Sequence, residues 1–428
     1  MSTNKISAYF KSQVKTNEWP LLIWSFLYFF FLLCGYFIIR SIREQMGVAS
    51  GVGNYHWLFL GTFITTLLIQ PIYGSIVSRY TRRIFLPYIY TFFALVILSF
   101  WISFHMFGEV PILASAFFIF ISVYNVFIVS LFWSFMADVY NKEQGKRLFG
   151  LIASGGSVGG IIGPLIGITL VDKIGWINLI FISFVCMLLV VLCLFFVRKN
   201  AIDSVENKEA PMGGSAIEGF RMILKSPLLK QITVMTIMAT LLGSFLYTLQ
   251  GVYVSQYIEP GNSQAKIFNQ INLVTNLLAM FFQMVLTPYL LQKSQIHKTL
   301  AILPTLLVIA FALIGAMPMI YVVLGAIIVQ RSGAYGIMKP PTDWLFTGMD
   351  KQAKYKFKNF LDTVIYRAGD TMAQWVIKGI TMITKNIHIL AAIGALLSFY
   401  WIFNAMKVGK LASEILKDKD YPMRYKAQ

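Results

Sequence analysis

The chain has 428 residues, of which 57% are hydrophobic and only 13% charged, and it carries a net charge of +18. A water-soluble domain of this length does not carry so many long apolar runs. Cys34, Cys186 and Cys193 all fall inside such runs, which points to packing rather than to a disulfide framework or a metal site.

A helical span needs about 20 apolar residues to cross roughly 30 Å of hydrocarbon. Twelve segments meet that need, at about 20–46, 57–78, 84–106, 111–137, 148–171, 176–197, 229–256, 266–291, 299–316, 318–338, 359–384 and 387–408. The first apolar run is too long for the core of a cleavable signal peptide, and no small-residue cleavage site follows it. The predicted fold is an all-α polytopic membrane protein. The expected domains are a six-helix half at 1–197, a cytoplasmic linker at 198–228, a second half at 229–408 and a basic tail at 409–428. In the linker, Ile217, Phe220 and Leu224 recur at the spacing of an amphipathic surface helix. The even division predicts two halves related by an axis along the membrane normal, with a binding site near mid-depth where the halves meet.

With an internal N-terminus, about 28 of the 36 Lys and Arg fall on the cytoplasmic side, as the positive-inside rule requires. The predicted outer loops keep only Lys173, Lys266 and Lys385. The basic excess is therefore topological, nucleic acid is not an expected partner, and both termini are predicted to be cytoplasmic in a bacterial inner membrane.

In the predicted spans the charges are few and placed. Span 1 ends FIIRSIREQMGV, which puts Arg40, Arg43 and Glu44 within one helical turn. They either snorkel to the outer surface or, if the helix extends to about Val48, lie in the outer half of a cavity. Arg331 falls near the middle of span 10, beside Gly333 and Gly336, with no terminus to reach. Asp362, Tyr366, Arg367 and Asp370 lie on or near one face of span 11, and Lys378 lies beyond them. A charge in hydrocarbon costs about 2.5–3.5 kcal/mol on insertion scales, so each of these is a functional-site hypothesis, with structural pairing of Arg367 and Asp370 as the competing reading. The set leans positive, and Arg suits bidentate recognition of phosphate or carboxylate. Gln70, Asn125, Tyr247, Gln250 and Asn269 are neutral groups that either join a site or bond helix to helix. No His falls at mid-depth, so a coupling proton would fall to Asp370 or Asp362.

Two local motifs carry a resemblance. After span 2, Gly74-Ser-Ile-Val-Ser78-Arg79-Tyr-Thr81-Arg82-Arg83 resembles the signature loop of the major facilitator superfamily, whose charge cluster locks a cytoplasmic gate. Arg79, Arg82 and Arg83 keep its basic part, while Ser78 and Thr81 replace the usual Asp and Gly. In span 5, Gly159, Gly163, Pro164 and Gly167 resemble the motif of facilitator-type antiporters, although close helix packing explains the same run. The stretches FIIRSIREQMGV, VFIVSLFWSFMADVYNKEQGKRLFGLIASGGSVGG and KYKFKNFLDTVIYRAGD are similar to the ATP:ADP translocases of plastids and intracellular bacteria, and closer to their shorter bacterial relatives. That resemblance implies phosphate-binding roles for Arg43 and Lys358. The acidic residues that the family uses in spans 4 and 7 have no counterpart in FIFISVYNVF and LYTLQGVY.

The expected function is secondary active transport of a phosphorylated or carboxylated metabolite by alternating access, with antiport as one mode. The alternative is a nucleotide exchanger, and a lipid flippase or membrane enzyme is the third class. The expected partners are an anionic small molecule, the bilayer and, if coupled, a proton. No cofactor, metal or obligate protein partner is expected.

Overall fold

The computed structural model describes residues 14–79, 82–200, 223, 226–346, 357–358 and 360–417, and within them not the side chains of 71–84, 362–363 and 415–417. Among the described residues there are twelve long helices and no strand. They are α1 (Trp19–Ala49), α2 (Tyr55–Arg79), α3 (Arg82–Phe107), α4 (Pro111–Val139), α5 (Lys142–Ile174) and α6 (Trp176–Asn200). There follow α7 (Pro227–Tyr257), α8 (Asn262–Lys293), α9 (Ile296–Ala316) and α10 (Ile320–Leu345). The last two are α11, a π turn at Leu361–Ile365 running into Tyr366–Ile383, and α12 (Ile387–Lys417). All but α11 are long and apolar enough to cross a membrane. The predicted twelve-helix polytopic architecture is what the chain forms, and α11 falls short because Arg367, Asp370 and Lys378 interrupt its apolar run. The predicted linker helix around Ile217, Phe220 and Leu224 lies outside the described residues.

The helices start and stop where local chemistry says they should. Proline near the first position opens α1, α4 and α7, where its missing N–H costs nothing. Asn141 and Gln144 form a reciprocal capping box at the head of α5. Gly108 and Gly175 take positive φ, at 67° and 82°, at the ends of α3 and α5.

Contacts divide the chain into two compact units. Unit 1 comprises Met1–Gly51, Ile64–Ala210 and Glu259–Leu273, and unit 2 comprises Val52–Phe63, Pro211–Ile258 and Val274–Gln428. In unit 1, α5 lies directly against α1. A Cβ on Gly155 would stand 2.5 Å from the Phe26 carbonyl oxygen, and one on Gly163 2.5 Å from that of Cys34. Gly159 meets the Phe30 carbonyl in the same way. The spacing of four repeats on both helices, so the glycine face of α5 admits the main chain of α1 itself. Beside this seam an aromatic cluster joins α1 to α4: Phe29 stacks on Phe132 at 4.2 Å, with Trp133 edge-on at 5.5 Å.

In unit 2, α8, α10 and α11 each contain a π turn. Two of these turns have a cause in the sequence. Pro288 follows the first, and Pro340 and Pro341 follow the second, so carbonyls four and five residues earlier lack their amide donors. The two turns are tied together. Gln283 Nε2 donates to the Tyr335 carbonyl at 3.0 Å, and Thr287 Oγ1 to that of Gly336 at 2.6 Å. Gly336 in turn leaves room for Phe282, whose Cβ lies 2.5 Å from where a glycine Cβ would be.

Candidate functional site

In unit 1, α1 runs unbroken to Ala49, so the FIIRSIRE run lies inside the helix rather than in a loop. Glu44 is 1% exposed, Arg40 14% and Arg43 15%. Arg43 Nη2 donates to Glu44 Oε1 at 2.6 Å, and Arg40 Nε stands 3.9 Å from the same oxygen. Arg43 also reaches α4, where Nη1 donates to Ser122 Oγ at 3.3 Å and the guanidinium carbon lies 5.0 Å from the Phe118 ring centre. Arg40 lies over Phe37 at 5.5 Å. Two guanidiniums thus share a buried carboxylate, and aromatic faces support both cations. The next residue, Gln45, is fully buried and donates to Glu109 Oε1 at 2.8 Å in the α3–α4 turn. Burial pushes the Glu109 carboxyl above its ordinary value, and the Gln45 amide opposes that rise. Further along unit 1, Asn272 donates to Ser41 Oγ at 2.9 Å.

The region quoted for the translocase resemblance has a structural role here. Arg147 binds Glu18 through both nitrogens, at 3.0 and 2.8 Å, and Gln144 Nε2 donates to Glu18 Oε1 at 3.2 Å. This clamps the head of α5 to the start of α1. Gly167 abuts Asn269, which donates to its own Ala265 carbonyl at 2.9 Å.

In unit 2, Arg331 lies 8% exposed in α10, its guanidinium carbon 5.8 Å from the centre of the Tyr247 ring on α7. Tyr247 also packs against Tyr55 at 5.3 Å and Phe59 at 5.6 Å. Beside Arg331, Gln330 sits against Gly243, where a Cβ would stand 2.8 Å from its amide nitrogen. On α11, Asp370 is half-buried and accepts from Ser244 Oγ of α7 at 3.5 Å. Gln374 extends this ladder, accepting from Thr248 Oγ1 at 3.1 Å and donating to the Ser244 carbonyl at 3.4 Å. Arg367 is half-buried one turn earlier. Lys378 reaches the turn between α1 and α2, where its Nζ donates to the Gly53 carbonyl at 3.3 Å. Lys358, 32% exposed, binds Asp343 at 2.7 Å.

The structure therefore brings Arg40, Arg43 and Glu44 into one buried cluster in unit 1, and Arg331 against α7 in unit 2. Asp362 lies in the α11 π turn, and its side chain lies outside the described residues, as do those of Arg79, Arg82 and Arg83. Glycines 159, 163 and 167 and Pro164 are buried along α5. Ser122, Ser244, Gln330 and Gln374 were missed in the sequence because small hydroxyls and amides inside apolar helices carry little signal. The spacing of four between Asp370 and Gln374, matched by Ser244 and Thr248 on α7, is the pattern that would have revealed that ladder.

Twelve long helices with buried charges in both units make up a polytopic membrane protein. The chain belongs to the major facilitator superfamily, whose family model, the Major Facilitator Superfamily, matches residues 21–347. Solved structures agree on the fold. A point mutant of the nucleoside transporter NupG superposes with a TM-score of 0.62 at 14% identity, covering 92% of this chain and 100% of that one. A POT family transporter in complex with a thioalcohol-conjugated peptide gives 0.64 at 13% identity, covering 90% and 96%. A D-xylose-proton symporter gives 0.58 at 14%, covering 94% and 98%. Among curated proteins, no match was found.

Proposed function

We propose that the chain is a secondary active transporter of an anionic metabolite bearing phosphate or carboxylate, working by alternating access. The observation that carries this reading is Arg331, an arginine only 8% exposed within a membrane-spanning helix. Holding charge there is expensive, and a packed apolar residue would join α10 to α7 at least as well. The Arg40–Arg43–Glu44 cluster supports the same reading, because two guanidiniums preset in one buried group suit a divalent oxyanion. Purified protein in liposomes should take up labelled organic phosphates or dicarboxylates in preference to uncharged nucleosides and sugars. Uptake confined to uncharged solutes would overturn the proposal.

A nucleotide exchanger is the second reading. It is favoured by Arg43, which lies in the buried cluster at the position where the translocase resemblance puts a phosphate-binding cation, and it would also enlist Lys358. Counterflow of adenine nucleotides without any flux of simple organic phosphates would select it. We also propose that both termini face the cytoplasm, from the placement of Lys and Arg. Cysteines introduced at Glu109 and Glu259 should then react with impermeant reagents from outside whole cells, and labelling only after lysis would reverse the topology.

A further inference from the structure

We propose that a cavity of about 500 Å³, at the end of unit 2 where α8 meets α9, binds the phosphate headgroup of an anionic phospholipid. Ser294, Gln295 and His297 line it from the α8–α9 junction, Trp344 from α10, and Lys410 and Ser413 from α12. Among the described residues, none of those lining it is acidic. The cavity holds the head of α9, a 21-residue helix whose N-cap, Gln295, makes no side-chain capping bond. Its first amides and positive dipole end therefore favour an anion alongside the lysine. The main chain that carries Lys410 is held close to the head of α9: Gly409 lies so near the main chain of His297 that a Cβ there would collide with it.

The surroundings decide between a lipid and a free anion. Along α12, Phe399, Tyr400 and Phe403 are exposed, and the same face continues into the exposed Lys407 and Lys410. On α8, Met284, Val285 and Leu291 are exposed, and Leu291 itself lines the cavity. Large apolar side chains exposed on membrane-spanning helices face acyl chains. Two such faces thus lead to the basic cavity, and Trp344, 44% exposed, has the place of an interfacial aromatic anchor. Basic pockets between helix ends are suited to anionic headgroups, each cation contributing on the order of a fivefold factor in binding.

The test uses the full chain in detergent, titrated with phosphatidylglycerol, with phosphatidylcholine of the same acyl chains, or with inorganic phosphate. The readouts are thermal midpoint and lipid retention in native mass spectrometry. Phosphatidylglycerol should raise the midpoint and remain bound, and the other two should not. The double variant Lys410→Gln/His297→Gln should weaken the phosphatidylglycerol response roughly fivefold or more, Lys410→Arg should keep it, and Lys385→Gln, an equal charge change elsewhere, should leave it intact. Equal responses to both lipids, or an undiminished response in the double variant, would overturn the proposal. A shift produced by inorganic phosphate and abolished by the same variant would overturn the lipid as the source.

Discussion

Thr287 of α8 donates its hydroxyl to the carbonyl of Gly336 in α10, at 2.6 Å. That carbonyl has no helical donor in either register. The residue four positions on is Pro340 and the residue five positions on is Pro341, and neither has an N–H. A side chain from another helix supplies the bond that the α10 backbone cannot. Thr287 is 1% exposed, so nothing else replaces it readily. Thr287→Val keeps the shape and removes the donor, and should cost about 1–3 kcal/mol. Thr287→Ser should cost much less. Thermal melting of the purified variants checks both, and equal loss in the two would mean that the methyl packing matters, not the hydroxyl.

The α1–α5 seam predicts opposite outcomes for two glycines on one helix. Gly163→Ala would place a methyl 2.5 Å from the Cys34 carbonyl oxygen, and a main chain cannot step aside as a side chain can. A loss of about 1–3 kcal/mol or more is expected. Gly150 has nothing within 4 Å of its would-be Cβ, so Gly150→Ala should stabilise by roughly 0.5–1 kcal/mol through the helix backbone alone. A neutral Gly163→Ala would show that the helices are not in close contact.

Arg331→Ala should leave insertion intact and reduce transport by about ten- to a hundredfold, the worth of a charge-assisted hydrogen bond to substrate. Arg331→Lys should recover only part, since a point charge lacks the planar fork. The check is uptake in liposomes at matched protein. Normal transport by the alanine variant would remove Arg331 from the site, and loss of folded protein would make it a packing cation.

Glu109 gives a pH dependence with a defined sign. Burial raises its folded-state pKa above the ordinary 4.5, so the native protein holds this proton more tightly than the unfolded chain does. Its contribution to stability is present below 4.5 and is lost as pH rises through the folded value. Melting temperature should fall as pH is raised through the window just above 4.5, and Glu109→Gln, which still offers an oxygen to Gln45, should flatten that fall. An unchanged pH profile in the variant would assign the dependence to another group.

Asp370 accepts from Ser244 Oγ, within a ladder that also joins Gln374 to Thr248. Asp370→Asn keeps an acceptor for Ser244, so pH-gradient-driven uptake and substrate counterflow should both persist, while Asp370→Leu should lower both together. Side-by-side uptake and counterflow measurements decide. Loss of driven uptake alone in Asp370→Asn would make Asp370 a proton-coupling group.

The sequence by itself determined which segments form long apolar helices and placed Arg331 inside one of them, while it left Arg40, Arg43 and Glu44 open between the outer surface and a cavity. Apolar run length sets the first, and the depth of Arg331 follows by counting residues. The glycine spacing of α5 was legible too, because a repeat of four can only be one helix face. Partners were not legible. In lipid, apolar periodicity does not say which helix faces which, since a span is apolar nearly all round. Arg43 and Glu44 are adjacent in sequence and do not face each other on an ideal helix. Only the packing of α4, with Ser122 and Phe118, turns the long arginine side chain onto that carboxylate. The same holds for Lys378 on the Gly53 carbonyl and Lys358 on Asp343. Tertiary structure also decided the allegiance of 52–63 to unit 2 and of 259–273 to unit 1. Contacts such as Tyr55 with Gly251 and Asn272 with Ser41 depend on shape and hydrogen bonding between spans distant in the chain, and no local pattern encodes them.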